Sequence, residues 1–100
     1  MTMSRQPMSP DPGISRVQAA EAAEAAGDAV DREYQNDLVT SHHELHRSNL
    51  WIARCETITS IGRWQNDPRQ FHMTPKEAAY NFVAMYRKTM RSLTKTQIVS

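Results

Sequence analysis

The sequence predicts an all-α fold whose helices cannot bury all of their apolar surface within one chain. Only 16 of the 100 residues are Ile, Val, Leu or Phe, and chains with less than about a fifth of these residues begin to lack a sufficient core. Helix-forming residues nevertheless dominate almost throughout residues 15–93, and no strand-like alternation interrupts them. The formal net charge is only +1, so the strong self-repulsion that accompanies disorder is missing. We therefore expect an oligomeric helical subunit.

The N-terminal region predicts an extended arm followed by a short helix. Residues 1–14 contain three prolines and a glycine, which block a regular helix and favour extended backbone. Ser15 is a typical N-cap residue, and the alanine-rich segment 16–26 has high helix propensity. Gly27 predicts a break or kink after this segment, because glycine often ends a helix.

A single long helix is predicted over residues 29–65. Within it, apolar and small side chains alternate in steps of four and three, which is typical of a coiled-coil seam. Trp51, Cys55 and Ile58 add a second face. The predicted partner helix is much shorter, so residues 29–48 are expected to lack cover within the chain. The seam consists of Tyr34, Leu38, Ser41, Leu45, Ser48, Ile52, Cys55 and Thr59.

The C-terminal part predicts a second helix that folds back on the first. Pro68 ends the long helix. Thr74 and Glu77 have the spacing of a capping box around Pro75, so a helix should begin there and continue to Leu93. Residues 15–93 then form one helical hairpin domain, and residues 94–100 form a C-terminal tail. The side chains expected to close the hairpin are Phe82, Tyr86 and Met90.

Charge is balanced overall but not along the chain. Residues 1–50 hold four Arg and eight Asp or Glu, whereas residues 51–100 hold eight Lys or Arg and three acids. Such polarity favours antiparallel neighbours or head-to-tail stacking. The basic half also suggests contact with nucleic acid, in which cations track phosphates and an aromatic ring stacks on a base. The residues with this potential are Arg63, Trp64, Arg69, Arg87, Lys88, Arg91 and Lys95.

Residues with catalytic or metal-binding chemistry are sparse. His42 and His46 share a helix face and are the only weak candidates for a metal site, but zinc needs three or four ligands and the sequence supplies no others at a matching spacing. Cys55 lies in the predicted seam, where an unpaired thiol is typical of an inert buried side chain. The three glycines are isolated, so no phosphate-binding loop is formed. We expect no enzymatic activity, no cofactor and no small-molecule substrate.

The sequence also bounds the cellular context. A single cysteine cannot form an internal disulfide. The N-terminus lacks the apolar run of a signal peptide, and no segment is long and apolar enough to span a membrane. These features predict a cytoplasmic or virion-associated protein.

The function predicted from the sequence is that of a non-enzymatic structural or adaptor subunit, for example of a phage virion. It would act through helix–helix contacts and the N-terminal arm, in a homo-oligomer or a larger complex. The alternatives are a small nucleic-acid-associated protein and a helical inhibitor of a partner protein. The residues expected at the partner interface are Tyr34, Leu38, Leu45, Trp51, Ile52 and Ile58.

Overall fold

The described part of the chain is entirely helical apart from its connections. The computed structural model describes residues 12–67 and 73–99. Three helices form within these ranges, α1 (Pro12–Thr40), α2 (Glu44–Gln65) and α3 (Pro75–Val99), and no strand is present there. The predicted all-α class is confirmed. Of the predicted arm over residues 1–14, residues 1–11 lie outside the described residues, and residues 12–14 belong to α1 and are not extended.

Helix α1 is longer than the sequence predicted and continues through Gly27. The predicted start at Ser15 and break at Gly27 are therefore wrong. A glycine inside a helix costs only about 1 kcal/mol relative to alanine. Ala26 and Val30, on either side of it, are both fully buried, and their packing stabilises the helix across that position.

The long helix predicted over residues 29–65 is also wrong, because the chain leaves the helical conformation at residues 41–43. His43 has extended backbone, with φ −95° and ψ 126°, immediately before α2. The guanidinium of Arg47 donates hydrogen bonds to the carbonyl oxygens of Leu38 and Ser41, at 3.0 and 3.2 Å. Carbonyls at the end of a helix have no partners within it, so Arg47 stabilises the end of α1 and the reversal that follows.

The predicted capping box at the start of α3 is confirmed. The Thr74 amide donates to Oε1 of Glu77 at 3.0 Å, and the Glu77 amide donates to Oγ1 of Thr74 at 3.1 Å. The predicted end of α2 at Gln65 is likewise confirmed. Helix α3 does not end at Leu93 but continues to Val99.

All three helices pack against one another, and consecutive helices run in opposite directions. For α1 and α2, three contacts show this: Asp31 with Arg54, Tyr34 with Trp51, and Leu38 with Arg47. The residue numbers increase along α1 while those of their partners decrease along α2. Helix α3 is parallel to α1, since Ala29 lies beside Tyr80 and Asp37 beside Tyr86. The body measures 65 × 25 × 16 Å.

The core combines small residues from α1 with larger ones from α2 and α3. Alanine side chains let helices approach closely but bury little area per residue. Tyr34 is buried and Leu38 packs against the core, so the prediction that residues 29–48 lack cover within the chain is wrong for this part of the seam. Phe82, Tyr86 and Met90 pack as predicted. The buried apolar residues are Ala19, Ala22, Ala23, Ala26, Val30, Tyr34, Leu50, Ala53, Ile61, Trp64, Ala78, Phe82 and Tyr86.

Candidate interaction surfaces

The reversal at residues 41–43 divides the predicted seam into an inner and an outer part. The α1 residues of the seam face the other helices, whereas the α2 residues lie on the side of α2 that faces away from the core. Leu45 retains 49% of its exposure, Trp51 50% and Ile52 40%, and Ile58 is partly buried. We call this side the α2 outer face. Its residues are Leu45, Ser48, Trp51, Ile52, Cys55, Thr59 and Gly62.

The α2 outer face has small residues along its centre and larger apolar residues at its margin. Ser48, Cys55 and Thr59 are small and follow one another along its centre. Gly62 continues this line, and a Cβ added there would meet no atom within 4 Å. Leu45 and Ile52 stand seven residues apart along one margin, a spacing that repeats every two helical turns. The face is therefore a shallow channel with an apolar margin.

Trp51 is held in place although half of it is exposed. Its ring centroid lies 5.9 Å from that of Tyr34, and the Arg54 guanidinium lies 4.9 Å above the Trp51 ring. Arg54 in turn donates from Nε to Oδ1 of Asp31 at 2.6 Å. This hydrogen bond raises the pKa of Arg54 above its ordinary value. The guanidinium over the indole is a cation at any physiological pH, as arginine is in general. A fixed aromatic side chain loses little conformational freedom when a partner binds it.

Part of the opposite charge on the two halves of the chain is paired internally. Besides the Asp31–Arg54 pair, Glu33 accepts a hydrogen bond from Nε of Arg87 at 2.8 Å, which raises the pKa of Arg87. Asp37 accepts one from the Tyr86 hydroxyl at 2.8 Å. The pKa of Tyr86 is raised well above its ordinary value of 10.0. The main cause is burial of the hydroxyl, and the hydrogen bond to the Asp37 carboxylate is the second. The acids of α1 thus join α1 to both neighbouring helices.

The predicted nucleic-acid residues do not form one surface. Trp64 is buried with its ring 6.0 Å from that of Phe82, edge to face, so it cannot stack on a base. Arg63 is exposed at the end of α2, and Arg69 lies outside the described residues. The structure instead brings together the cations of α3, namely Arg87, Lys88, Arg91 and Lys95, which extend along its exposed side.

One exposed aromatic residue was missed by the sequence analysis. Tyr80 is 76% exposed and lies on the same side of α3 as those cations. The sequence contained a signal for this placement. Tyr80 is four residues after Lys76 and seven before Arg87, and residues at these intervals share a helix face. Tyr80 also borders a groove of about 480 Å³, whose other lining residues are Ala29, Ala79, Val83, Ala84, Arg87 and Arg91.

The histidines stand at the exposed corner between α1 and α2 and gather no further ligands. His42 and His46 are both exposed. Nowhere in residues 12–67 and 73–99 are three His, Cys, Asp or Glu side chains grouped to hold a metal ion. Cys55 is partly buried on the α2 outer face and does not lie in the core as its place in the seam predicted.

Comparison of this chain with protein-family models, curated proteins and solved structures finds no match. None of the helices in the described ranges is long and apolar enough to cross a membrane. Together, the fold and its surfaces define a small three-helix protein with an exposed apolar face on α2 and an exposed basic face on α3.

Proposed function

We propose that this chain is a non-enzymatic structural subunit that assembles with a second copy of itself through the α2 outer face. One observation carries the proposal: Leu45, Trp51 and Ile52 are all exposed on α2, although the chain has few large apolar residues. Exposed apolar patches on small proteins commonly mark contact surfaces. Membership of a phage particle and the role of the arm remain predictions from the sequence.

A second copy fits this face when the two α2 helices run antiparallel. Helix α2 carries Glu44 in its first turn and Arg63 in its last. In an antiparallel pair whose two-fold axis passes between residues 53 and 54, Glu44 of each copy lies opposite Arg63 of the other. Leu45 then faces the open position at Gly62, and Ile52 faces Cys55. A parallel pair would place like charges together, so charge complementarity favours the antiparallel arrangement.

The expected affinity is modest. Leu45 and Ile52 are each about half exposed, and covering the remainder would contribute about 1 kcal/mol per side chain. Trp51 adds a comparable or larger amount on each copy. These gains are offset by the loss of translational and rotational freedom on association. We therefore expect dimers that dissociate at micromolar concentrations.

Sedimentation velocity between about 1 µM and about 1 mM tests the proposal, since this range covers weak association. The wild-type chain should change from monomer to dimer, and Leu45→Asp with Ile52→Asp should weaken dimerisation at least about tenfold by placing charge in a desolvated contact. Val17→Asp with Val39→Asp is the matched control, because these valines are 57% and 76% exposed on α1. It should dimerise like wild type.

Cross-linking determines the orientation of the helices. On a Cys55→Ser background, Glu44→Cys and Arg63→Cys are made as separate single-cysteine variants and mixed. A short bifunctional thiol reagent should join the two variants to each other much faster than either to itself. A chain that is monomeric throughout the concentration range, or a control pair that dimerises as poorly as the α2 variant, would refute self-assembly through this face. Preferential Glu44→Cys self-linking would refute the antiparallel orientation.

A further inference from the structure

The second half of the molecule contains a basic surface that the proposed assembly does not use. Residues 78–99 contain no Asp or Glu and four Lys or Arg. Lys76, Tyr80, Lys88, Arg91 and Lys95 are all exposed, and their spacing places them on one side of α3, opposite the buried side that includes Phe82 and Tyr86. We call these five residues the α3 basic face. From Lys76 to Lys95 it extends about 28 Å, at 1.5 Å per residue.

The nearby acids do not neutralise this face. Glu33 of α1 is paired with Arg87, so Arg87 compensates an acid that would otherwise repel an anion. Glu77, at the first turn, is engaged in the capping box. Within the described ranges, neither Lys88 nor Arg91 nor Lys95 has an ion-pair partner. Three free cations therefore follow one another along the last three turns of the face.

Tyr80 gives the α3 basic face an aromatic element that charge attraction alone does not require. A 76% exposed tyrosine ring beside the apolar floor of Ala29, Ala79 and Val83 provides a flat surface on which a base can stack. Arg87 and Arg91 border the same groove, within reach of the backbone on either side of that base. Cations combined with an exposed aromatic ring are typical of surfaces that bind unpaired nucleotides.

We propose that the α3 basic face binds single-stranded nucleic acid. Lys88, Arg91 and Lys95 contact successive phosphates, and Tyr80 stacks on a base at the other end of the site. An acidic protein surface would use the cations but gain little from the ring, so Tyr80 favours a nucleic acid. Because α2 and α3 expose different sides of the body, a dimer formed through α2 would keep one such face on each copy.

The salt dependence follows from the number of cations. Three or four neutralised phosphates give a slope of log K against log salt concentration of about −2 to −3 for a single strand. Affinity should therefore fall about 20- to 50-fold between 50 and 200 mM salt. A duplex, whose bases are not available for stacking, should bind more weakly than a single strand of equal length.

Fluorescence anisotropy with a labelled oligothymidylate of about 16 nucleotides, a length within the range of known single-strand sites, provides the test. Lys88→Glu with Arg91→Glu should weaken binding at least about tenfold. Arg16→Glu with Arg32→Glu is the matched control, because it changes net charge equally at two exposed arginines of α1 outside this face, and it should lower affinity less than threefold. Tyr80→Ala should weaken single-strand binding several-fold without changing the salt slope.

Each alternative outcome overturns the proposal. Equal losses in the two charge-reversal variants would show non-specific attraction to net charge. Unchanged binding in Tyr80→Ala, together with equal competition by polyglutamate, would assign the face to an acidic protein partner. No salt-sensitive binding of either strand form at 50 mM salt would exclude nucleic acid altogether. Repeating the titration with Leu45→Asp and Ile52→Asp, which should bind with unchanged affinity per site, separates this surface from self-assembly.

Discussion

Replacing Gly27 by alanine should stabilise the protein, contrary to what a break in the helix would imply. Gly27 lies inside α1, its φ is outside the left-handed region, and a Cβ added there would meet no atom within 4 Å. The change therefore brings the full helix-propensity gain of about 1 kcal/mol without a steric cost. For a domain of this size, that gain raises the melting temperature by about 4–8 °C.

Urea unfolding followed by circular dichroism measures this difference directly, and Gly62→Ala gives an informative comparison. Gly62 is equally uncrowded, so the monomer should gain a similar amount. If α2 pairs with a second copy as proposed, however, the added methyl group lies where Leu45 of that copy is expected, and dimerisation should weaken. A loss of stability in Gly27→Ala would refute the continuous helix. A gain at Gly27 and none at Gly62 would refute the assumption that propensity dominates at both positions.

Two further predictions concern the polar contacts between helices. Tyr86→Phe removes the hydrogen bond to Asp37 and should cost about 1 kcal/mol at pH 7. Because the pKa of Tyr86 is raised in the folded state, the unfolded chain loses this proton first as the pH rises past about 10. Wild-type stability should therefore fall by about 1 kcal/mol between about pH 10 and pH 11 relative to the variant. Urea midpoints at pH 7–11 test this, and parallel pH profiles would contradict it. Arg47→Ala should destabilise by about 1 kcal/mol through loss of the contacts at the end of α1, whereas Arg63→Ala should change stability by less than about 0.5 kcal/mol. Equal losses of stability in Arg47→Ala and Arg63→Ala would mean that the hydrogen bonds of Arg47 to the end of α1 do not stabilise the fold.

Local signals in the sequence predicted those parts of the fold that depend on neighbouring residues. The capping box at Thr74 and Glu77 was predictable because both of its hydrogen bonds join residues three positions apart. The end of α2 at Gln65 was predictable because Pro68 restricts the residues before it. Neither feature depends on what the rest of the chain does.

The reversal at residues 41–43 could not be predicted in the same way. Ser41, His42 and His43 are weak helix formers, but their propensity alone does not end a helix. The reversal is stabilised by Arg47, several residues further along the chain, and by the burial of Tyr34, which requires α2 to pack back onto α1. At Gly27 the opposite happened, since packing kept a helix intact where local preference favoured an end.

The same reason explains how much of the candidate surfaces could be predicted. The heptad spacing correctly grouped Leu45 with Ile52, because that relationship lies within one helix. It could not indicate that Tyr34 and Leu38 face inward while Leu45 faces outward, since this depends on the reversal between them. Trp64 was a candidate for base stacking in the sequence, but its alternative role as a packing residue between helices is the one observed, because its ring lies against Phe82. Tyr80, by contrast, could have been recognised from its spacing to Lys76 alone.

The number of helices decides where the two ends of the chain emerge. A hairpin of two helices would place the C-terminus at the same end of the molecule as the N-terminus. Three helices that reverse direction at each connection instead place Pro12 and Val99 at opposite ends of a body 65 Å long. Anything attached to the two ends is thereby held apart at a distance set by helix length. The separation of the two ends would grow by about 1.5 Å for each residue added to all three helices.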